Sequence, residues 1–292
     1  MRAVLVCLGL LLASTGPAGA WGFVAHRIVA ENAVTAMPEG MSSFWRAAVS
    51  VISDASIEPD SILKDRDGEA EKRRHYFDLD ELSRPPFADL VRDKSEARRR
   101  YGARRLEEAG TLPWRIQDMQ VEMREAMKEG DWRKVISRAG WLSHYVADAY
   151  QPLHTTKNHD GQRTCNEGVH AAFETDMIDL GKTLYRAQTA APAGFSPQAI
   201  TDPMTFIWDE LIGNYALVSD ILQADSEAVR AVKGQRKNYF EEMERRAGPL
   251  ARRQLSRAVT TVASLWYTAW VQAGSPELPP NPLPRRSKAK RP

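Results

Sequence analysis

An all-α fold follows from three features of the sequence. Apolar residues recur at three- and four-residue intervals along most of the chain, no run alternates apolar and polar residues as a half-buried strand would, and no segment repeats. The first helix is expected over Val24–Ala36, stopping before Pro38, and a second, short amphipathic one over Ser43–Ile52. From Lys94 to Glu129 the pattern is long and charged outside. Pro113 interrupts it, so one helix should end near Gly110 and another begin at Trp114. Asp131 then has the place and chemistry of an N-cap. The helix it would cap, Trp132–Tyr150, carries Val135, Ile136, Ala139, Leu142, Val146 and Ala149 on one face, which suits a helix in the middle of a bundle. Pro152 ends it by pushing the preceding residue out of the helical region. Further helices fit His170–Gln188, Pro203–Gln223, Ser226–Arg245 and Leu250–Val271, with the Ala/Pro-rich stretch Ala190–Pro203 as a surface loop.

The two ends differ from the middle. Residues 1–20 read as a secretory leader: Arg2, an apolar run from Ala3 to Ala13 too short to span a bilayer, and Ala18-Gly19-Ala20 as a small-x-small cleavage pattern. Cleavage there would free the α-amino group of Trp21, which with its own carbonyl oxygen makes a five-membered chelate. Residues 276–292 form a Pro-rich basic tail, expected to be disordered. Residues 21–275 are left as one domain, since no linker divides them and a chain that is 43% apolar can bury one large core. The formal net charge is +2, but Arg2 in the leader and Arg285, Arg286, Lys288, Lys290 and Arg291 in the tail are all cationic, so the body is mildly acidic. Charge therefore selects no substrate. Of the two cysteines, Cys7 belongs to the leader and Cys165 to the body, so no internal disulfide is expected. The expected location is secreted or periplasmic, without a transmembrane segment once the leader is gone.

The chemistry concentrates in a few histidines and acids. His144 and Asp148 lie four apart on the central helix, so both project from one face, and the two oxygens of Asp148 can bridge two ions. His154 follows just beyond the proline break. His170 and Glu174 repeat the four-residue spacing on the next helix. Several imidazoles and carboxylates placed inside a bundle would be costly unless metal ions neutralised them. His26 on the first helix and His75 in Arg74-His75-Tyr76-Phe77-Asp78 extend the set. For the remaining carboxylate, Asp60 in Ile57-Glu58-Pro59-Asp60 is preferred to Asp54. Asp54, Asp65, Asp67 and His159 are expected to be surface or loop residues.

With these residues in this order, the chain resembles the superfamily that holds the bacterial zinc-dependent phospholipases C and the single-strand-specific zinc nucleases of fungi and plants. The resemblance runs from Trp21 through the block His144-Tyr145-Val146-Ala147-Asp148-Ala149-Tyr150-Gln151-Pro152-Leu153-His154 to Glu174. Beyond Gly181 it rests on helical character alone. It implies a single multi-helix bundle with a buried trinuclear zinc site. One zinc would be held by Asp60, His75, His144 and Asp148. A second would be held by the Trp21 amine and carbonyl, His26 and the other oxygen of Asp148, and a third by His154, His170 and Glu174. The implied reaction is hydrolysis of a phosphodiester, in a phospholipid or in single-stranded nucleic acid, with Asp60 orienting or deprotonating the attacking water. Glu174, the short loop from His154 to His170 and the lack of disulfides lean toward the phospholipase C-like branch. The Trp21–His26 spacing resembles the nucleases, for which Tyr76, Phe77, Tyr145 and Phe173 are candidate base platforms or else core. A secreted zinc-binding protein without turnover is the competing expectation. No protein partner is implied.

Overall fold

A computed structural model describes residues 21–233 and 238–283 of the chain; the expected leader and residues 284–292 of the basic tail lie outside them. Helices dominate the described residues, and the only β pairing among these is an isolated bridge between Phe77 and Gly110. No helix among them is long and apolar enough to cross a membrane.

The early helices follow the periodicity closely, at Phe23–Thr35 and Ser42–Ala55. Pro113 proves to lie in the first turn of Leu112–Glu129, where its missing N–H is no loss, so that helix starts two residues before the expected Trp114. Asp131 caps the central helix Trp132–Ala149 by accepting from Lys134 N. Gly140 lets this helix approach Ser42–Ala55 closely: a Cβ there would meet the Ala55 Cβ at 2.5 Å and the Ile52 carbonyl at 2.8 Å. The Phe23–Thr35, Leu112–Glu129 and Tyr239–Gln272 helices also pack on it, so His144 and Asp148 sit where the bundle is thickest. Trp45 stacks on Trp266 at 4.6 Å, and the Trp266 indole donates to the Ala139 carbonyl, tying the long C-terminal helix to the central one.

The later boundaries differ from expectation. The helix expected over Lys94–Gly110 breaks at Gly102, whose φ of 83° leaves the helical region, into Lys94–Tyr101 and Ala103–Ala109. The one expected over His170–Gln188 comes in pieces: Val169–Ala171, a π-helical turn Ala172–Asp176, Met177–Leu180, and Lys182–Gln188 after Gly181. Pro203–Tyr215 ends early, where the Asn214 side chain turns inward to the Ala149 carbonyl and Gln254, and Val218–Val232 follows. Pro249 does not delimit a helix. Tyr239–Gln272 runs through it, its buried side of Met243, Ala247, Ala251 and Leu255 continuing across the one backbone bond that proline forgoes. Cys165 lies among the described residues and Cys7 outside them.

Candidate metal centre

Six segments converge on one end of the central helix. His26 comes from the first helix, Asp60 from a π-helical turn Pro59–Leu63, and His75 from the turn after the short helix Glu69–Lys72. His144 and Asp148 come from the central helix, His154 from the 3-10 turn Pro152–Thr155, and His170 and Glu174 from the Val169–Asp176 stretch. Two carboxylates of the centre, Asp60 and Glu174, thus ride on π-helical turns, irregularities that often mark functional sites. Backbone bonds fix the geometry. Phe77 N donates to the His154 carbonyl at 2.8 Å, and Asp160 caps the His170 segment by accepting from Gly168 N and His170 N. Gly110 is required beside His75: at φ 93° its added Cβ would meet the Tyr76 carbonyl at 2.2 Å.

The eight predicted side-chain ligands fall into three groups that could each hold a metal ion. These are His26, His144 and Asp148; Asp60, His75 and His144; and His154, His170 and Glu174, with ligand atoms within 4.8 Å of one another in each group. Asp148 stands between the first two. Its Oδ2 is 3.0 Å from His75 Nδ1 and 3.3 Å from His144 Nε2, while Oδ1 is 3.6 Å from His26 Nε2. His144 Nδ1 donates to the Ser56 carbonyl at 2.7 Å; a carbonyl can only accept, so the Nε2 lone pair is left for the cluster. In the third group His170 Nε2 lies 2.7 Å and His154 Nε2 3.5 Å from Glu174 Oε2.

Trp21 is fully buried, its indole donating to the Ala147 carbonyl at 2.8 Å, while Gly22 N donates to the Glu174 carbonyl. Its backbone is thereby moored beside both Asp148 and Glu174.

A metal fits the pattern of unmet hydrogen bonds. Buried atoms without a partner include both His26 nitrogens, Asp60 Oδ1, Asp148 Oδ1, His154 Nδ1 and His170 Nδ1. Orphaned polar atoms are rare in folded proteins, and here they gather on one cluster of imidazoles and carboxylates, a donor set suited to zinc. Without an ion the groups compensate one another. Burial alone would raise Asp148, yet His144 and His75 hold it well below the usual carboxylate range. Burial alone would lower His75, yet Asp148 and Glu71 push it up to about 10. His26, buried and facing His144, is pulled well below the ordinary histidine value.

A cleft of about 240 Å³ opens onto this centre, with Asp60, His75, His154 and His170 reaching it. Lys64, Lys72, Tyr76, Asp78, Leu153 and His159 complete its lining. His159, expected to be a plain loop residue, has its ring 5.6 Å from that of His170. Of the four aromatics considered as base platforms, Tyr76 alone lines the cleft. Phe77, Tyr145 and Phe173 are core, Phe77 edge-on to Trp114 and Trp208, and Phe173 against Trp21. Sequence reasoning missed Glu71, fully buried behind His75. Its place four residues before His75 was the available signal.

No family model matches the chain. A curated protein of Bradyrhizobium tropiciagri, named a probable serine protease, is 26% identical over 193 residues, which is 58% of this chain and 25% of that protein. The chain thus spans about a quarter of its relative's length. The relative bears the name of a protease and not of a phosphodiesterase. This overturns the expected phosphodiester hydrolysis, in its phospholipase C-like and its nuclease form alike.

Proposed function

We propose that this chain is a metal-dependent hydrolase whose nucleophile is water and not a side chain. The observation that carries the proposal is the convergence of eight buried ligand side chains, in three groups with unmatched polar atoms, on an open cleft. Bound zinc would supply a Lewis acid that polarises the scissile group and makes water nucleophilic near neutral pH. Asp60, whose oxygens lie 3.7 Å from His75 and 4.0 Å from His26 and His144, reaches the cleft and is assigned to orienting or deprotonating that water. Asp148, with Oδ1 3.6 Å from His26 and Oδ2 3.0 Å from His75, is placed to serve both neighbouring groups, the Trp21 amine and carbonyl would complete the His26 group once a leader is removed, and three ligands alone from His154, His170 and Glu174 leave space for substrate.

Lys64 and Lys72 on the cleft wall, 3.8 Å from Asp60 and 3.7 Å from Glu69 respectively, support a substrate with a negatively charged group near the scissile bond. The relative's name supports hydrolysis as the class of reaction. Serine hydroxyls near the centre are engaged elsewhere, Ser56 with the Ser53 carbonyl, Ser61 with Ile57 and Ser143 with Gly140, which supports water as the nucleophile. The ligand order from Trp21 to Glu174 supports kinship of architecture with the zinc-dependent phospholipases C and nucleases, and the leader pattern supports export.

The test is zinc content together with turnover of acidic and neutral peptides and carboxylic esters, in the presence of chelator or of a serine-directed fluorophosphonate. Expected are about three zincs, with the single free His144 lone pair serving one of the two groups that share it, turnover abolished by chelator and restored by zinc, indifference to the fluorophosphonate, and a loss of about 10²–10⁴ in kcat for Asp60→Asn. Turnover that survives chelation, or that the fluorophosphonate abolishes, would overturn the proposal.

A further inference from the structure

We infer that Glu71 is the positioning residue of the Asp60/His75/His144 group, holding the His75 ring so that Nδ1 faces the metal; this deepens the metal-dependent reading above and rests on it. The two nitrogens of His75 face different surroundings. Nδ1 is 3.0 Å from Asp148 Oδ2, 2.9 Å from His144 Nε2 and 3.7 Å from Asp60 Oδ1. Nε2 points the other way, with Glu71 Oε1 at 3.5 Å and no partner in hydrogen-bonding geometry. An ionised carboxylate only accepts, so it favours the tautomer with the proton on Nε2 and the lone pair on Nδ1.

Glu71 is itself held. Tyr145 donates its hydroxyl to Oε1, Arg74 Nη1 donates to Oε2, and the Arg115 guanidinium lies over the Tyr145 ring, 4.9 Å from its centroid. Arg74 precedes His75, and Tyr145 follows His144 on the central helix. One carboxylate therefore joins the irregular segment that carries His75 to the helix that carries His144 and Asp148. Being fully buried behind the ring, Glu71 acts through His75 and not on substrate.

The experiment compares purified wild type, Glu71→Gln and Tyr145→Phe, by zinc affinity in competition with chelators of graded strength and by long-range ¹H–¹⁵N NMR of the histidine rings. Expected is a loss of about 10–100-fold in affinity at one zinc site in Glu71→Gln. The affinity of the His154/His170/Glu174 group should not change, and His75 should lose its single Nε2–H state. Tyr145→Phe, which leaves Glu71 held by Arg74 alone, should weaken the same site to a smaller extent. A purely structural Glu71 would instead lower the melting temperature of the zinc-free protein and weaken every site alike. That pattern, or equal affinity in wild type and both variants, overturns the inference alone. A wild type that binds no zinc overturns the metal-dependent reading and the inference with it.

Discussion

Replacing Asp148 by Asn tests the centre at its junction. In the native side chain Oδ2 serves His75 and His144 while Oδ1 faces His26 at 3.6 Å and His154 at 3.8 Å. Asparagine keeps the shape but offers one oxygen, so one of the two sides meets an amide that cannot ligate. Two metal groups lose a ligand or a charge through a single atom change, while the His154/His170/Glu174 group keeps all of its own. With free zinc at 100 times Kd, each occupied site adds about 2.7 kcal/mol of stability, so two sites together contribute about 5 kcal/mol. At roughly 2–4 °C per kcal/mol for a domain of this size, the zinc-dependent rise in melting temperature should shrink by about 10–20 °C. The assay is differential scanning calorimetry with and without zinc, paired with metal analysis of the purified protein. Because the measured quantity is the zinc-dependent rise, costs of the substitution that do not involve metal cancel. Asp148→Asn protein that keeps the full zinc complement and the full thermal rise would refute the bridging role.

Other outcomes follow from the same coordinates. Gly140→Ala should destabilise by about 1–3 kcal/mol through overpacking against Ala55 and Ile52, whereas Gly213→Ala, exposed on its helix with nothing near the new methyl, should stabilise by up to about 1 kcal/mol; urea denaturation measures both. Asp78 is raised to about 8, chiefly by burial and then by the charge of Asp80. A carboxyl raised on folding stabilises the protein when protonated, so its contribution is complete at acid pH and is lost as pH rises through about 8. The stability difference between wild type and Asp78→Asn should therefore change with pH by at most about 1.4 kcal/mol per unit between roughly pH 4 and 8, and a constant difference would refute it. Trp21→Ala should cost about 3–5 kcal/mol in thermal or chemical denaturation, since it empties a fully buried site and removes the bond to Ala147.

Much of the helical architecture was legible because burial imposes a period that the sequence repeats, as in Trp132–Ala149 with its apolar face, its Asp131 cap and its proline stop. The breaks were less legible. Pro249 looks like a boundary but is carried through by its buried neighbours, while the end of Pro203–Tyr215 depends on Asn214 reaching Ala149 and Gln254, partners remote in sequence. The candidate ligands stood out for a local reason, the four-residue spacing of His144 with Asp148 and of His170 with Glu174. The residues around them did not. Lys64, Lys72 and His159 acquire their place at the cleft only when separate segments meet, and the ligand pattern does not name the substrate bond because ligands specify a metal centre more closely than the bond it acts on.

The centre is assembled over long stretches of chain: His75 meets His144 across 69 residues and Asp148 across 73, and Trp21 reaches Ala147 across 126. Such contacts must overcome loop-closure entropy and form slowly relative to the helices they join. An unfolded chain therefore offers zinc only scattered histidines, and tight uptake waits until the first helix, the His75 segment and the central helix have docked. On the proposed reading, zinc uptake by the refolding chain should track the slowest docking step and be insensitive to zinc concentration once zinc is in excess, and a bound metal would then be a timekeeper for completed topology.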